Sequence, residues 1–377
     1  MKIGILTQRL RVNFGGLLQN FALQQVLISL GHNVETINPL ITINNHSYCK
    51  RLLSICKRII KKYIFNNNKT VIFYEKKLLK TEPIIRKNTD KFVKKYISVR
   101  EIESFQEIKK EDYNALIAGS DQVWRGGKAG EGLGPYFFDF AEGWNIKRIA
   151  YAASFGVDHW FYSPALTKVY KKLILQFNAI SVREHKAVDM IKEGFGINAT
   201  HVLDPTFLID KSLYHQIVEN ANLPNTETSL LVYILDESEK KRNFIEQISK
   251  KEQLPIKNIN AYPDDIWRPI EERIQPSVEE WLKSFMDAKF IITDSFHACV
   301  FSILFHKDFI VIENSKRGAS RMRELLEDFS LNDRIFKEND LKINYINNLR
   351  PINYEIIDKV IEKRKEFSIN FLKKALS

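Results

Sequence analysis

Cysteine is scarce: Cys49, Cys56 and Cys299 are the only three in 377 residues. Three cannot build a disulfide framework, and no CxxC pair suggests zinc, so a reducing compartment is expected. No stretch reaches the roughly 18 uncharged apolar residues that a membrane span needs. The opening run MKIGILTQRL is too short for a signal peptide, with Arg9 and Arg11 close behind. The expected location is therefore cytoplasmic. HExxH, DxD and the EF-hand loop are absent, so a tightly held catalytic metal has no support. GxGxxG is also missing, which argues against a nicotinamide or flavin cofactor. Without flanking GxSxG glycines, Ser295 is no elbow nucleophile. There is no internal repeat and no low-complexity tract.

What is present is ordinary for a globular chain: 44% hydrophobic and 27% charged residues. The length suggests two or three domains. Apolar runs of strand length alternate with helical patterns. Lys2–Thr7 reads as a strand, Gly15 and Gly16 as a loop, residues 17–30 as a helix closed by Gly31, and 33–37 as the next strand. This β-loop-α-β opening begins a doubly wound parallel sheet. Further strands are expected at 115–118, 148–152, 179–182 and 200–202. Residues 204–224 read as a connection. A second series follows at 229–235, 256–260, 290–293 and 309–312. Two α/β halves joined near residue 215 account for this, with a long helix at 354–376.

Charge is uneven. The chain is formally +11, yet residues 50–100 alone carry +13, so the remainder sums to −2. The basic character belongs to an insertion-like region. Within it, residues 50–64 form an amphipathic pattern. At about 100° per residue, Lys50, Arg51, Lys57, Arg58, Lys61 and Lys62 share an arc of about 140°, with apolar residues opposite. Such a helix either docks its apolar face on its own domain or lies in a bilayer interface. No aromatic stacking series or DNA-binding motif accompanies the charge, so nucleic acid is not an expected partner.

Polar clusters sit where strands end, the place at which open α/β sheets bind ligands. Gly15-Gly16 permits a close backbone approach before a helix N-terminus, or simply makes a turn. Asp121, in Gly119-Ser120-Asp121-Gln122-Val123-Trp124, can accept a hydroxyl proton or cap a helix. Arg183 can hold a phosphate or carboxylate with its fork, or pair with Glu184. Asp204 and Pro205 shape a turn. The sharpest cluster is Thr293-Asp294-Ser295-Phe296-His297, where a histidine and helix N–H groups suit an anion. Arg317, Arg321 and Arg323 can meet an anion or pair with Glu324, Glu327 and Asp328.

Taken in order, these segments resemble the polysaccharide pyruvyl transferase family. The matching pieces are Asn13-Phe14-Gly15-Gly16-Leu17-Leu18-Gln19-Asn20, with Ala22-Leu23-Gln24 just after, and residues 119–124. Tyr151-Ala152-Ala153-Ser154-Phe155-Gly156, Ser181-Val182-Arg183-Glu184, Asp204-Pro205-Thr206 and Thr293–Ala298 complete the set. Each is weak alone, but six in register across about 300 residues are specific. The stretch 43–100 and the C-terminal helix carry little of the likeness.

The resemblance implies an α/β, GT-B-like fold with two Rossmann-like domains whose parallel sheets face a central cleft. The first would span 1–212, on the acceptor side, with the basic insertion 43–100. The second would span 213–352, on the donor side, followed by the helix 353–377. The implied reaction moves the pyruvyl group of phosphoenolpyruvate to a sugar, usually as a ketal on two hydroxyls. Phosphoenolpyruvate is a donor substrate, and no cofactor or metal is implied. The resemblance places Arg183 and His297 on the donor's phosphate and carboxylate. Protonating phosphoenolpyruvate needs an acid, and the attacking hydroxyl a base: His297 is the first candidate for the acid or the phosphate partner, Asp121 and Asp294 are candidate bases, and Asn13, Gly15, Gly16, Ser154 and Ser295 are candidate substrate-binding residues. Some relatives carry an arginine two residues before that histidine. Ser295 stands there in this chain, so that donor contact is either missing or supplied from elsewhere, with Arg317 and Arg321 as the candidates. Acceptors in related pathways are often lipid-linked sugars, which would bring residues 50–64 to the inner membrane as a peripheral anchor. The rival readings are a glycosyltransferase using a sugar nucleotide on the same fold, and a non-catalytic scaffold of a polysaccharide assembly complex.

Overall fold

Short β-branched and aliphatic runs, buried on both faces, form two parallel sheets. Strand β4 (Ala115–Ala118) is buried throughout, and β1 (Lys2–Leu6) is buried from its second residue on. That is the pattern of strands covered by helices on both sides. A computed structural model describes residues 1–40, 48–65, 70–127, 130–224, 227–314 and 318–377.

The first sheet adds β2 (Asn33–Pro39), β3 (Val99–Ile102), β5 (Lys147–Ala153), β6 (Ala179–Val182) and β7 (Thr200–His201), in the order β3-β2-β1-β4-β5-β6-β7. The second contains β8 (Leu230–Tyr233), β9 (Ile256–Asn258), β10 (Phe290–Thr293), β11 (Asp308–Ile312) and β12 (Ile335–Phe336), in the order β12-β11-β10-β8-β9. Every strand pairing is parallel. The chain reverses direction across the sheet between β1 and β4, and again between β8 and β10. These topological switch points are where parallel sheets open a crevice at their carboxyl ends.

Some local expectations are corrected. Gly15 and Gly16 are not in a loop: the helix starts at Phe14 and runs to Ser29, with both glycines in its first turn. The connection after Asp204 is structured, with a 3-10 turn at Pro205–Phe207 and a helix at Lys211–Glu219. The basic region holds two helices, Tyr48–Tyr63 and Tyr74–Tyr96, before β3. The last helix, Tyr354–Leu376, packs on the first sheet: Ser368 Oγ accepts from Leu203 N at 3.0 Å, and Phe371 meets Tyr151.

Candidate active site

Both switch points open onto one cleft of about 510 Å³. From the first sheet it receives Asn13, Gly15, Asp121 and Arg125. From the second come Asp294, Ser295 and His297, with Arg321 from the helix Ala319–Asp328.

His297 lies in the first turn of the helix Phe296–Leu304 and is nearly buried. Its ring rests on the backbone of Gly15, where an added Cβ would fall 2.0 Å from Nδ1. Only glycine permits that approach, and the approach joins the two sheets' clusters. Nε2 of His297 is buried, makes no hydrogen bond within normal distance among the described residues, and lies 3.6 Å from Asp204 Oδ2. Ser295 occupies the N-cap position of that helix, yet its hydroxyl caps no backbone N–H. The positive end of the helix therefore faces the cleft beside the imidazole.

Arg183 is not where the sequence reading puts it. Its guanidinium does not reach into the crevice but is enclosed, with 2% of the side chain exposed. Nη1 donates to Asp204 Oδ2 at 2.9 Å, Nε to Glu184 Oε1 at 3.2 Å and Nη2 to Asp121 Oδ1 at 3.4 Å. Phe296 covers its face at 4.1 Å. Burial would lower the Arg183 pKa, but Glu184, Asp204 and Asp121 hold it raised. Burial would likewise raise the Asp204 carboxyl, but His297 and Arg183 hold it well below the usual carboxylate range. Asp204 also accepts from Ser120 Oγ and from Thr206 N and Oγ1, so the turn it shapes is one of several tasks.

Two further expectations fail for the same reason, satisfaction by neighbours. Asp294 accepts from Leu235 N, Asp236 N, Lys241 Nζ and Asn314 Nδ2, between 2.6 and 3.2 Å. A carboxylate holding four donors, one of them a buried ammonium, is a loop clamp and a poor base. Ser154 is fully buried, donating to Glu184 Oε1 and accepting from Gly156 N. Gly16 is buried against Asn13 rather than facing the cleft. Arg317 lies outside the described residues.

Asp121 keeps its place on the cleft wall. Asn13 Nδ2 approaches its Oδ2 at 3.5 Å, and its φ is +73°. A left-handed aspartate at a strand end is strain held by its surroundings, a feature that clusters at functional sites. Arg321 is the cleft's buried cation: burial and the charge of Arg183 push it down to about 10.

The sequence reading missed several lining residues. Arg125 follows the Asp121 motif directly and could have been added from its spacing. The wall formed by Asn260–Asp265 carries no motif. It is tied to the first sheet by Arg11, which donates to Asp264 Oδ1 at 2.7 Å and binds Glu82 through two nitrogens. Behind Arg183, His201 Nε2 lies 3.0 Å from the Arg183 carbonyl oxygen, and Arg364 donates to His201 Nδ1 at 3.1 Å.

The family model described as polysaccharide pyruvyl transferase matches residues 13–316. No curated protein matches in sequence. Among solved structures, Arabidopsis thaliana UGT89C1 complexed with UDP-L-rhamnose is 10% identical, with a TM-score of 0.51 over 99% of this chain and 98% of that one. MurG of Acinetobacter baumannii is 11% identical, with a TM-score of 0.44 over 99% of both chains. UDP-GlcNAc 2-epimerase of Neisseria meningitidis, bound to UDP-GlcNAc, is 10% identical, with a TM-score of 0.44 over 100% of this chain and 94% of that one. The first of these likenesses supports the fold: a GT-B arrangement of two parallel α/β sheets facing a cleft.

Proposed function

The chain belongs to the polysaccharide pyruvyl transferase family, and we propose that it moves the pyruvyl group of phosphoenolpyruvate onto two hydroxyls of a surface-polysaccharide precursor sugar, releasing phosphate. The observation that carries this reading is His297, held between Gly15 and Asp204 at the head of a helix that opens on the cleft.

A proton adds to the methylene carbon of phosphoenolpyruvate, and C2 becomes electrophilic. One sugar hydroxyl adds to C2; the bond from C2 to the phosphate oxygen breaks; the second hydroxyl adds and closes the ketal. Of the two hydroxyl protons, one balances the new methyl group and the other leaves with phosphate. His297 is the acid, placed on the cleft wall with its Nε2 3.6 Å from Asp204 Oδ2. Its Nδ1 makes no hydrogen bond among the described residues. Asp121 is the base for the attacking hydroxyl. Arg321, Arg125 and the helix N-terminus stabilise the donor's phosphate and carboxylate. Arg183 acts one layer back: it holds Asp121 and Asp204 in place and is not offered to the phosphate. The acceptor is a sugar, carried on a lipid in this reading.

The test is acceptor-dependent phosphate release from phosphoenolpyruvate, across aryl and lipid-linked galactosides, glucosides and mannosaminides. His297→Ala is expected to lower kcat by about 10³-fold. Release that survives this substitution would sink the assignment of His297. Nucleotide release from a sugar nucleotide, with no turnover of phosphoenolpyruvate, would replace the reaction with glycosyl transfer. Neither turnover nor binding of phosphoenolpyruvate would point to a non-catalytic scaffold, with Ser295 in the arginine's place as the reason.

A further inference from the structure

The helix Tyr48–Tyr63 is turned the opposite way from a docked amphipathic helix. Leu52, Leu53, Ile59, Ile60, Tyr63 and Ile64 are all exposed, Leu53 at 60% and Ile64 at 73%. At about 100° per residue these six share an arc of about 140°. The half-buried positions Ile55, Arg58 and Lys62 lie on the other side. Arg58 makes the attachment: its two Nη atoms reach Glu75 at 2.5 and 2.6 Å, and Nη1 also donates to the Ile72 carbonyl. The chain thus holds this helix by its polar side and leaves the apolar side to the surroundings. Lys57 and Lys61, both exposed, border one edge of the apolar arc. Phe73 is exposed at the start of the next helix.

An uncovered aliphatic face of this size needs an occupant. Charge selects it. Between residues 48 and 80 ten Lys and Arg stand against one acid, Glu75. A second copy packed symmetrically on this face would oppose like charges. An anionic bilayer surface offers acyl chains to the aliphatic residues and phosphates to the lysines.

We propose that residues 52–65 seat this protein on an anionic lipid bilayer, the outward aliphatic face entering the headgroup boundary. The seat also has a defined relation to the cleft. From the adjoining helix, Lys77 Nζ donates to the Ile266 carbonyl at 3.0 Å and lies 5.6 Å from the ring centre of Trp267, which is itself exposed. Glu82 of the same helix holds Arg11, which holds Asp264 on the cleft wall. A bilayer bound at 52–65 therefore lies beside the rim of the cleft. The inference does not depend on pyruvyl transfer, since it rests on this helix and its neighbours alone.

The test is flotation of the full chain with vesicles of phosphatidylcholine, alone or mixed with phosphatidylglycerol, with neither donor nor acceptor present. Binding to the mixed vesicles is expected to exceed that to neutral ones by about tenfold or more, and to weaken with salt. Leu53→Gln with Ile60→Gln removes apolar surface at constant charge. It should abolish most of the binding while the circular dichroism spectrum and thermal midpoint stay unchanged. Lys57→Gln with Lys61→Gln should weaken it several-fold. Three outcomes overturn the proposal: no binding by the intact chain, equal binding by the Leu53/Ile60 variant, or a dimer that this variant dissolves. The last would assign the face to a second copy. Loss of phosphate release with binding intact would count against the reaction and not against the seat.

Discussion

The two switch points meet at one cleft but furnish it in opposite ways. At the first sheet, Asp121, Glu184 and Asp204 gather around one guanidinium, Arg183, so that guanidinium is not left over for a ligand, while Asp121 still lines the cleft. At the second, Asp294 is consumed by Lys241, Asn314 and two backbone amides, while His297, Ser295 and a helix N-terminus remain towards the cleft. The first wall is a closed ionic cluster; the second offers donors. Residue type at a strand end does not distinguish the two. A buried ion must be solvated wholly by the protein, so the number of partners decides whether it can serve a substrate. An arginine among three carboxylates also presents a phosphate with more repulsion than attraction.

That contrast can be broken by experiment. Arg183→Ala strands three buried carboxylates and should cost about 3–5 kcal/mol of stability, read from urea midpoints. Arg321→Ala should move the midpoint far less and instead raise KM for phosphoenolpyruvate about tenfold. If Arg321→Ala unfolds the protein and Arg183→Ala only raises KM, the two walls have been assigned the wrong way round.

The first wall should also carry an acid sensitivity of its own. Burial, with His185 and Arg364 nearby and only partly offset by Asp328, pushes His201 down to about 4 from an ordinary 6.5. The unfolded chain then takes up the proton first as pH falls. Stability from this group is complete above about pH 6.5 and drains away towards about pH 4, by up to about 3 kcal/mol. Denaturation curves across that window should show the loss in the wild type and a flatter profile for His201→Gln. A wild type whose stability does not change there would separate His201 from the Arg183 cluster.

A further substitution sharpens the point where the walls touch. Gly15→Ala drives a methyl into the His297 ring and should lower phosphate release by about 10²-fold through misplacement of the imidazole. Gly16→Ala, whose nearest neighbour would be Asn13 Nδ2 at 3.3 Å, should be tolerated. Equal effects from the two would mean that contact with His297 is not what Gly15 provides.

Much of the architecture was legible because period and punctuation are local properties. The strands around Ile3, Leu116, Ile149, Leu231 and Ile291 are apolar runs bounded by polar turns, and they lie where their pattern puts them. Strand β12 was not legible, since two residues carry no period. Of the site, Asn13, Gly15, Asp121, Ser295, His297 and Arg321 were marked by their positions at strand ends or beside helix starts, and they do line the cleft. Arg183 and Ser154 were marked by the same rule and turned inward, while Asp294 lines the cleft with its carboxylate already held by four donors. Asp204 was read as a turn and proved to be the partner of both Arg183 and His297.

The amino-acid pattern by itself determined the parallel α/β layers, the polar clusters at their carboxyl ends and the amphipathic helix of the basic insertion, because each follows from neighbours a few residues apart. Tertiary structure alone decided which charges are spent on one another, that His297 rests on Gly15 from the other sheet, and that the basic insertion's helix turns its aliphatic side outward. Those outcomes depend on contacts between residues up to hundreds of positions apart, and on the cost of burying a charge or a polar atom without a partner.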